Sequence, residues 1–291
     1  MKSIVRKCYR VPSKLIGSLY YLIKLLYVHN LPKSHPKFGP HFKQALLAIM
    51  KVSRKRGARK NYTIGAILGA LQAKNCGYEK ITLTEFGVAT GGGFRALMLV
   101  ANAIRDELNM DVKVVGFDFR TGLPEPKDYR DHPEIFKVSQ YAMASNYESI
   151  DADAQKNGSE LIIGDIAETI RKFDIEDSVL AFASIDVDYY SSTKPITEWL
   201  GSLHSNHLLP ATVLYFDDVL YNWTYSQGTG EALAIEEFNE QSNERRIELK
   251  HRNLRLYALH DFNNPFRQGV KAPTVQLVIS ADVLEKFYVF D

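Results

Sequence analysis

The sequence predicts a doubly wound α/β fold, a mainly parallel seven-stranded sheet between helices, with a helical extension in front of it. Three observations predict it. Short apolar runs recur from residue 80 onward, helical patterns lie between them, and the turn after the first run is rich in glycine. Strands that are apolar at nearly every position are those covered on both faces. Strand–helix–strand repetition gives parallel neighbours joined by right-handed crossovers.

Taken in order, residues 13–28 (SKLIGSLYYLIKLLYV) are apolar nearly all round and predict a helix. Its partner is the main domain or a second subunit, giving a homodimer, or else an anionic membrane surface with the flanking Lys and Arg at the headgroups. Lys24 interrupts the run, which is too short to span a bilayer, and no small-residue cleavage site follows as in a signal peptide. Residues 29–40 hold Pro32, Pro36 and Pro40 and predict a linker. Helices are expected at 41–54 and 62–75, separated by a basic turn at 56–60. The domain division that follows is 1–60 for the extension and linker and 61–291 for the main domain. Within the latter, strands are expected at 81–86, 112–117, 160–163, 179–185 and 212–216, and helices at 94–107, 166–173, 193–204 and 229–240. Two last runs, 252–259 and 274–279, have no helix between them and predict an antiparallel hairpin on the sheet edge. The stretch 119–158, rich in Tyr and charge, is long enough to supply a lid.

Lys and Arg number 36 against 34 Asp and Glu. That balance argues against a chain whose main task is gripping nucleic acid through phosphates. The charge is unevenly spread, however, since no Asp or Glu precedes Glu79. Cys8 and Cys76 are the two cysteines and have no metal-type spacing. A reducing cytoplasm is therefore the expected location, at the inner membrane face if residues 13–28 dock there.

Residues 85–94 (EFGVATGGGF) follow a strand and open a helix. Glycines there allow a sharp turn and a close approach of a ligand to main-chain amides, and the helix start offers unpaired N–H groups. By itself the turn fits a dinucleotide, adenosylmethionine or no ligand, and without a following Gly-Lys-Ser/Thr it is not a P-loop. Asp118 ends the next strand, where an acid accepts hydrogen bonds from ribose hydroxyls. Asp165 ends the third strand, where an adenine ring would lie. The fourth strand runs into residues 185–193 (IDVDYYSST) and the fifth into 216–219 (FDDV). Ligands of open parallel sheets bind beyond the carboxyl ends of the strands, so Asp186, Asp217 and Asp218 are expected to converge at one rim. Three converging carboxylates repel one another, and a hard divalent cation such as Mg2+ supplies the missing charge. Asp188 and Ser192 fit a solvated or helix-capping role.

These motifs, together with residues 116–126 (GFDFRTGLPEP) and 162–169 (IIGDIAET), resemble the macrocin O-methyltransferase family over residues from about 60 to 291. The resemblance implies a class I methyltransferase fold, S-adenosyl-L-methionine as methyl donor, Mg2+ or another divalent cation, and a sugar hydroxyl as acceptor in a small molecule or glycan. It implies that Glu85, Gly87 and Gly91 line the methionine and ribose part, that Asp118 binds the ribose and Asp165 sits by the adenine. It places the metal on Asp186, Asp217 and Asp218. The chain has Ala89-Thr90 where the family usually has a bulky residue and Arg, and Phe119-Arg120-Thr121 where Ser-Phe-Glu is usual. Asp186, bordering both cofactor and metal, is the candidate catalytic base; His132, His204 and His207 are weaker ones. Two other readings stay open. One is a nicotinamide-dependent oxidoreductase, which would use the glycine turn and Asp118 but has no role for Asp217-Asp218. The other is a non-catalytic binding protein on the same fold.

Overall fold

The computed structural model describes residues 13–36, 38–143, 146–219, 226–269 and 280–289. Three helices come first: α1 (Ser13–His29), α2 (Phe42–Ser53) and α3 (Lys60–Asn75). Then β1 (Lys80–Phe86), α4 (Gly92–Leu108), β2 (Asp111–Asp118), α5 (Tyr147–Lys156), β3 (Glu160–Ile163) and α6 (Ile166–Thr169) follow. The second half holds β4 (Val179–Ile185), α7 (Tyr190–Ser202), β5 (Leu208–Phe216), α8 (Gly230–Gln241), β6 (Arg245–His251), β7 (Leu256–Asp261) and α9 (Ala281–Glu285). One seven-stranded sheet results, ordered β3-β2-β1-β4-β5-β7-β6, with β1 to β5 parallel and β7 antiparallel to both β5 and β6. Strand order reverses between β1 and β4, the point where such sheets open a crevice for a ligand.

Side-chain alternation on the strands divides the apolar residues between two cores. On β5, Leu209, Val213 and Tyr215 enter the core under α2, α3 and α4, while Leu208, Leu214 and Phe216 enter the one under α7 and α8. Full burial of each such side chain contributes about 1.5–3 kcal/mol. α2 shares the first core through Phe42, Leu46, Ile49 and Met50, and α1 adds Tyr21, Leu25 and Val28 at its margin. α3 lies unusually close to β4, because a Cβ on Gly69 would stand 2.0 Å from the Ala181 carbonyl oxygen and one on Gly65 2.5 Å from the Phe182 ring.

Three expectations need correction. The edge hairpin is formed by β6 and β7, Ile247 opposite Leu259; the run 274–279, expected as its second strand, lies outside the described residues. β6 (RRIELKH) carries charge along its length, as exposed edge strands do, and its short apolar signal hides it in the sequence. The expected lid at 119–158 also splits. Residues 119–143 are irregular apart from a single 3-10 turn at Tyr129–Asp131, whereas residues 147–156 form α5, whose Ile150 and Ala154 are buried in the first core. The expected helix at 166–173 is one α-turn followed by a 3-10 turn at Ile170–Lys172.

Gly69→Ala is expected to lower stability by about 3 kcal/mol, since backbone and not a flexible side chain blocks the new methyl. Denaturant unfolding checks this, and an unchanged midpoint would contradict the close packing.

Candidate functional site

Backbone hydrogen bonds continue past the strand ends and set the rim. The Gly87 N–H donates to the Phe117 carbonyl at 2.9 Å, the Asp186 N–H to Phe86 at 3.0 Å, and the Asp217 N–H to Ile185 at 3.2 Å. The residues just beyond β1, β2, β4 and β5 therefore stand side by side. Gly87, with φ 89°, has its α-carbon against the neighbouring loop: a Cβ there would meet the Asp186 carbonyl oxygen at 1.8 Å. Only glycine satisfies both the left-handed conformation and that contact.

A cavity of about 370 Å³ opens at this rim. Gly87, Asp118, Asp165, Asp186, Asp217 and Asp218 all line it. Phe117, Ile166, Phe136 and Leu123 give it apolar walls, the last two from the irregular segment between β2 and α5. Glu85 and Gly91 lie elsewhere. Gly91 is the left-handed N-cap of α4 and is covered by Ile150 of α5. Glu85 is buried beneath the turn, where its Oε1 accepts a hydrogen bond from the Tyr62 hydroxyl at 2.7 Å. Its Oε2 has no hydrogen-bond partner among the described residues, and burial pushes this carboxyl up to about 8.

Asp118 braces the turn. Its Oδ2 accepts from the Val88 and Ala89 N–H groups at 2.9 and 2.8 Å, and its Oδ1 from the Arg120 N–H at 2.6 Å. A carboxylate has about four acceptor positions, so one remains for a ligand hydroxyl. Burial holds the Asp118 carboxyl above its ordinary range. Asp165 accepts from the Ala167 N–H at 2.8 Å and so caps α6 from an exposed position.

The carboxylates of Asp186, Asp217 and Asp218 converge as expected, each offering one oxygen within 4.8 Å of the others. Oxygens around a six-coordinate Mg2+ would stand about 3–4 Å apart, so this donor set fits a hard cation after small adjustments. Asp217 is further held by Arg255, whose Nη1 lies 2.6 Å from Oδ1, and by the Tyr215 hydroxyl on the same oxygen. Burial, then the charges of Asp217 and Asp218, push Asp186 up to about 7.

The sequence reading missed two acids. Asp188 is buried, adopts φ 59° and makes no capping hydrogen bond to α7, which corrects its assignment as a solvated or capping residue. It lines the cavity and is hydrogen-bonded to Asp218; burial and the nearby Asp218 and Asp186 push it up to about 9. Glu231, fully buried in the first turn of α8, accepts from the Val187 N–H at 3.3 Å and the Asp218 N–H at 3.0 Å. One side chain thus ties together the ends of β4 and β5. Burial holds its carboxyl well above the usual range. A single acid in the first turn of a helix reads from sequence as a dipole partner, and no local pattern reveals the cross-tie.

His132, His204 and His207 do not line the cavity. His132 is buried with Nδ1 2.9 Å from Glu134 Oε1 and Nε2 against the Thr229 hydroxyl, which anchors the irregular segment to α8. His204 caps a 3-10 turn, and His207 contacts the Ser178 carbonyl. Asp131, also buried, accepts from the Lys127 and Ser191 N–H groups at 2.8 and 2.7 Å and clamps the same segment to α7.

No family model matches the chain, and no curated protein matches it in sequence. Among solved structures it is similar to the calicheamicin methyltransferase CalS11, at 19% identity over 89% of this chain and 99% of that one, with a TM-score of 0.48. It is similar to the O-methyltransferase NovP at 16% identity over 86% and 99%, also with a TM-score of 0.48. An O-methyltransferase from Bacillus cereus in complex with SAH aligns at 16% identity over 84% and 100%, with a TM-score of 0.36. The fold assignment rests on the strand order, the antiparallel β7 and the helices on both faces, which make a Rossmann-like methyltransferase fold.

Two outcomes follow from these carboxyls. At low pH, below about 4, they are protonated in folded and unfolded chains alike and do not affect stability. Above that the unfolded chain ionises first and binds fewer protons than the folded one. Stability of the cation-free protein is expected to fall with rising pH until Asp186, Glu85 and Asp188 ionise at about 7, 8 and 9. Thermal unfolding across that window checks this, and Mg2+ should raise the midpoint more on the alkaline side; stability rising with pH would contradict it. Glu231→Gln replaces an acceptor by a donor opposite a backbone N–H and is expected to cost about 1–3 kcal/mol, read by denaturant unfolding.

Proposed function

We propose that this chain is an S-adenosyl-L-methionine-dependent O-methyltransferase that uses a divalent cation and acts on a sugar hydroxyl. The observation that carries the reading is the shared cavity. A glycine turn and a ribose-type acid at the ends of β1 and β2 open onto the same space as the acid cluster at the ends of β4 and β5. A nicotinamide oxidoreductase would use the first half but gives no role to the second. The sugar as acceptor comes from the sequence resemblance.

Gly87 and the β1–α4 turn would admit the donor's methionine and ribose, with the fourth acceptor position of Asp118 on a ribose hydroxyl. Phe117 and Ile166 would flank the adenine, with Asp165 at its polar edge. Glu85, expected to line the methionine part, lies beneath the turn with Oε1 on the Tyr62 hydroxyl, and would support the turn from below. Asp186, Asp217 and Asp218 would hold the cation. Both Asp217 contacts fall on Oδ1, leaving Oδ2 as the oxygen for a ligand role. When bound, the donor supplies an electrophilic methyl on a sulfonium, and the cation eases ionisation of the acceptor hydroxyl.

This chain's own part is to orient, to exclude water and to accept the proton. The acceptor oxygen forms a bond to the methyl carbon as the carbon–sulfur bond breaks, and the hydroxyl proton leaves to a carboxylate. Asp186 is the base expected from sequence, but its oxygens would be engaged in holding the cation. Asp188 lines the same cavity outside the three-acid group and is the better-placed acceptor. Its carboxyl is raised by burial and by Asp218 and Asp186. Neutralising those two acids returns Asp188 towards the ionised form a base requires. The segment 119–143, clamped by Asp131 and His132, forms one wall of the cavity and would help to exclude water from it.

Calorimetric titration with S-adenosylhomocysteine, with and without Mg2+, tests the reading. Micromolar binding is expected, weakened at least about tenfold by Asp118→Ala, which removes both the ribose contact and the brace on the turn. Asp217→Asn with Asp218→Asn is expected to abolish Mg2+-dependent methylation of sugar acceptors while homocysteine-product binding persists. Absence of any binding by a folded protein would overturn the assignment.

A further inference from the structure

α1 leaves an apolar face uncovered. Its inner side, Tyr21, Leu25 and Val28, meets the first core, and a surface helix ordinarily turns a polar face outward. Here the outward residues are apolar too: Tyr20 is 51% exposed, Leu22 50%, Ile23 55%, Leu26 55% and Tyr27 59%. The 3.6-residue period sets them along one continuous side of the helix. Burying a stripe of this size away from water is favourable, so it marks a contact with something outside the described chain.

The charge around the stripe identifies the partner. No Asp or Glu occurs before Glu79, whereas Lys2, Arg6, Lys7, Arg10 and Lys14 precede or open the helix. Lys24 lies over the Tyr20 ring at 4.2 Å, and Arg54 over the Tyr21 ring at 4.5 Å. Lys55 and Arg56 follow on the same exposed turn. Asp282 and Glu285 also border Tyr20 and Lys24, but Glu285 is paired with Lys60. With Lys286 beside them the rim keeps a basic excess that disfavours a second copy of itself across a two-fold axis. The stripe matches an interface whose headgroups are anionic and whose interior accepts Leu, Ile and Tyr side chains. Among the described residues no helix is long and apolar enough to cross a membrane, so the contact is superficial.

We infer that α1 docks the protein on an anionic lipid surface, its Tyr20, Ile23, Leu26 and Tyr27 side in the headgroup–acyl boundary and its basic residues at the phosphates. Two surface grooves share Lys60 and Glu285; one reaches Tyr20 and Lys24 of α1, and the other reaches Asp217 at the acidic rim. A hydroxyl presented at the lipid surface would meet the carboxylates along that track; this consequence, unlike the docking, rests on the methyl-transfer reading.

Co-sedimentation of the full chain with vesicles tests the docking, comparing phosphatidylcholine alone with equal parts phosphatidylcholine and phosphatidylglycerol. The expected result is binding to the anionic vesicles that added salt weakens, with little binding to the neutral ones. Ile23→Glu with Leu26→Glu changes only outward positions and is expected to lower affinity at least about tenfold, with thermal unfolding unchanged. Arg54→Glu with Lys55→Glu leaves the apolar stripe intact and is expected to lower it by about tenfold or more. Failure to bind anionic vesicles, or binding that ignores both pairs of substitutions, overturns the inference. So does a lipid-free dimer, seen by sedimentation velocity, that the Ile23→Glu and Leu26→Glu pair splits.

Discussion

Five carboxylates, those of Asp186, Asp188, Asp217, Asp218 and Glu231, meet where β4 and β5 end, and Arg255 pairs with Asp217. Two full negative charges at 4.8 Å repel by roughly 3.5 kcal/mol at an effective dielectric constant near 20. If Asp186, Asp217 and Asp218 were all ionised, their three pairs would cost roughly 10 kcal/mol, comparable to the whole stability of a domain. The fold can carry the cluster only by keeping protons on it or by binding a cation. The raised Asp186, Asp188 and Glu231 carboxyls are the first of these solutions, and the geometry of the three-acid group accommodates the second.

The surrounding structure serves that constraint. Glu231 ties Val187 to Asp218, so the two acidic loops cannot spread apart to relieve repulsion. Tyr215 and Arg255 fix Asp217. On the other side of the crevice Gly87 allows the Asp186 carbonyl to rest against the glycine turn, which couples the acidic rim to the turn that Asp118 braces. The two halves of the cavity are thereby held in one frame, the arrangement that the proposed displacement between two bound reactants would require.

The parallel strands and the acids ending them were legible because each signal is local. An apolar run followed by Asp217-Asp218 announces both the strand and its rim. β6 was not legible, because an exposed edge strand with Ile247 and Leu249 among five polar residues resembles a loop. Asp188 reads as a helix cap, and only its left-handed backbone turns the side chain into the cavity. Glu231 is an ordinary helical acid until α8 packs its first turn under two strand ends. Glu85 was legible as part of the turn, but strand alternation directs its side chain to Tyr62 beneath the turn and away from the crevice. Residues whose role depends on what distant elements bring to them carry no mark in a single sequence.

The central claim is that the acids at the ends of β4 and β5 form one divalent-cation site. Titration with Mn2+, followed by electron paramagnetic resonance of the free ion, tests it without reference to turnover. The account predicts one ion per chain, displaced by Mg2+, with affinity falling as the medium is acidified and lost in Asp186→Asn, Asp217→Asn and Asp218→Asn variants that remain folded. Binding by the wild type that persists in all three variants, or none at alkaline pH, would contradict it.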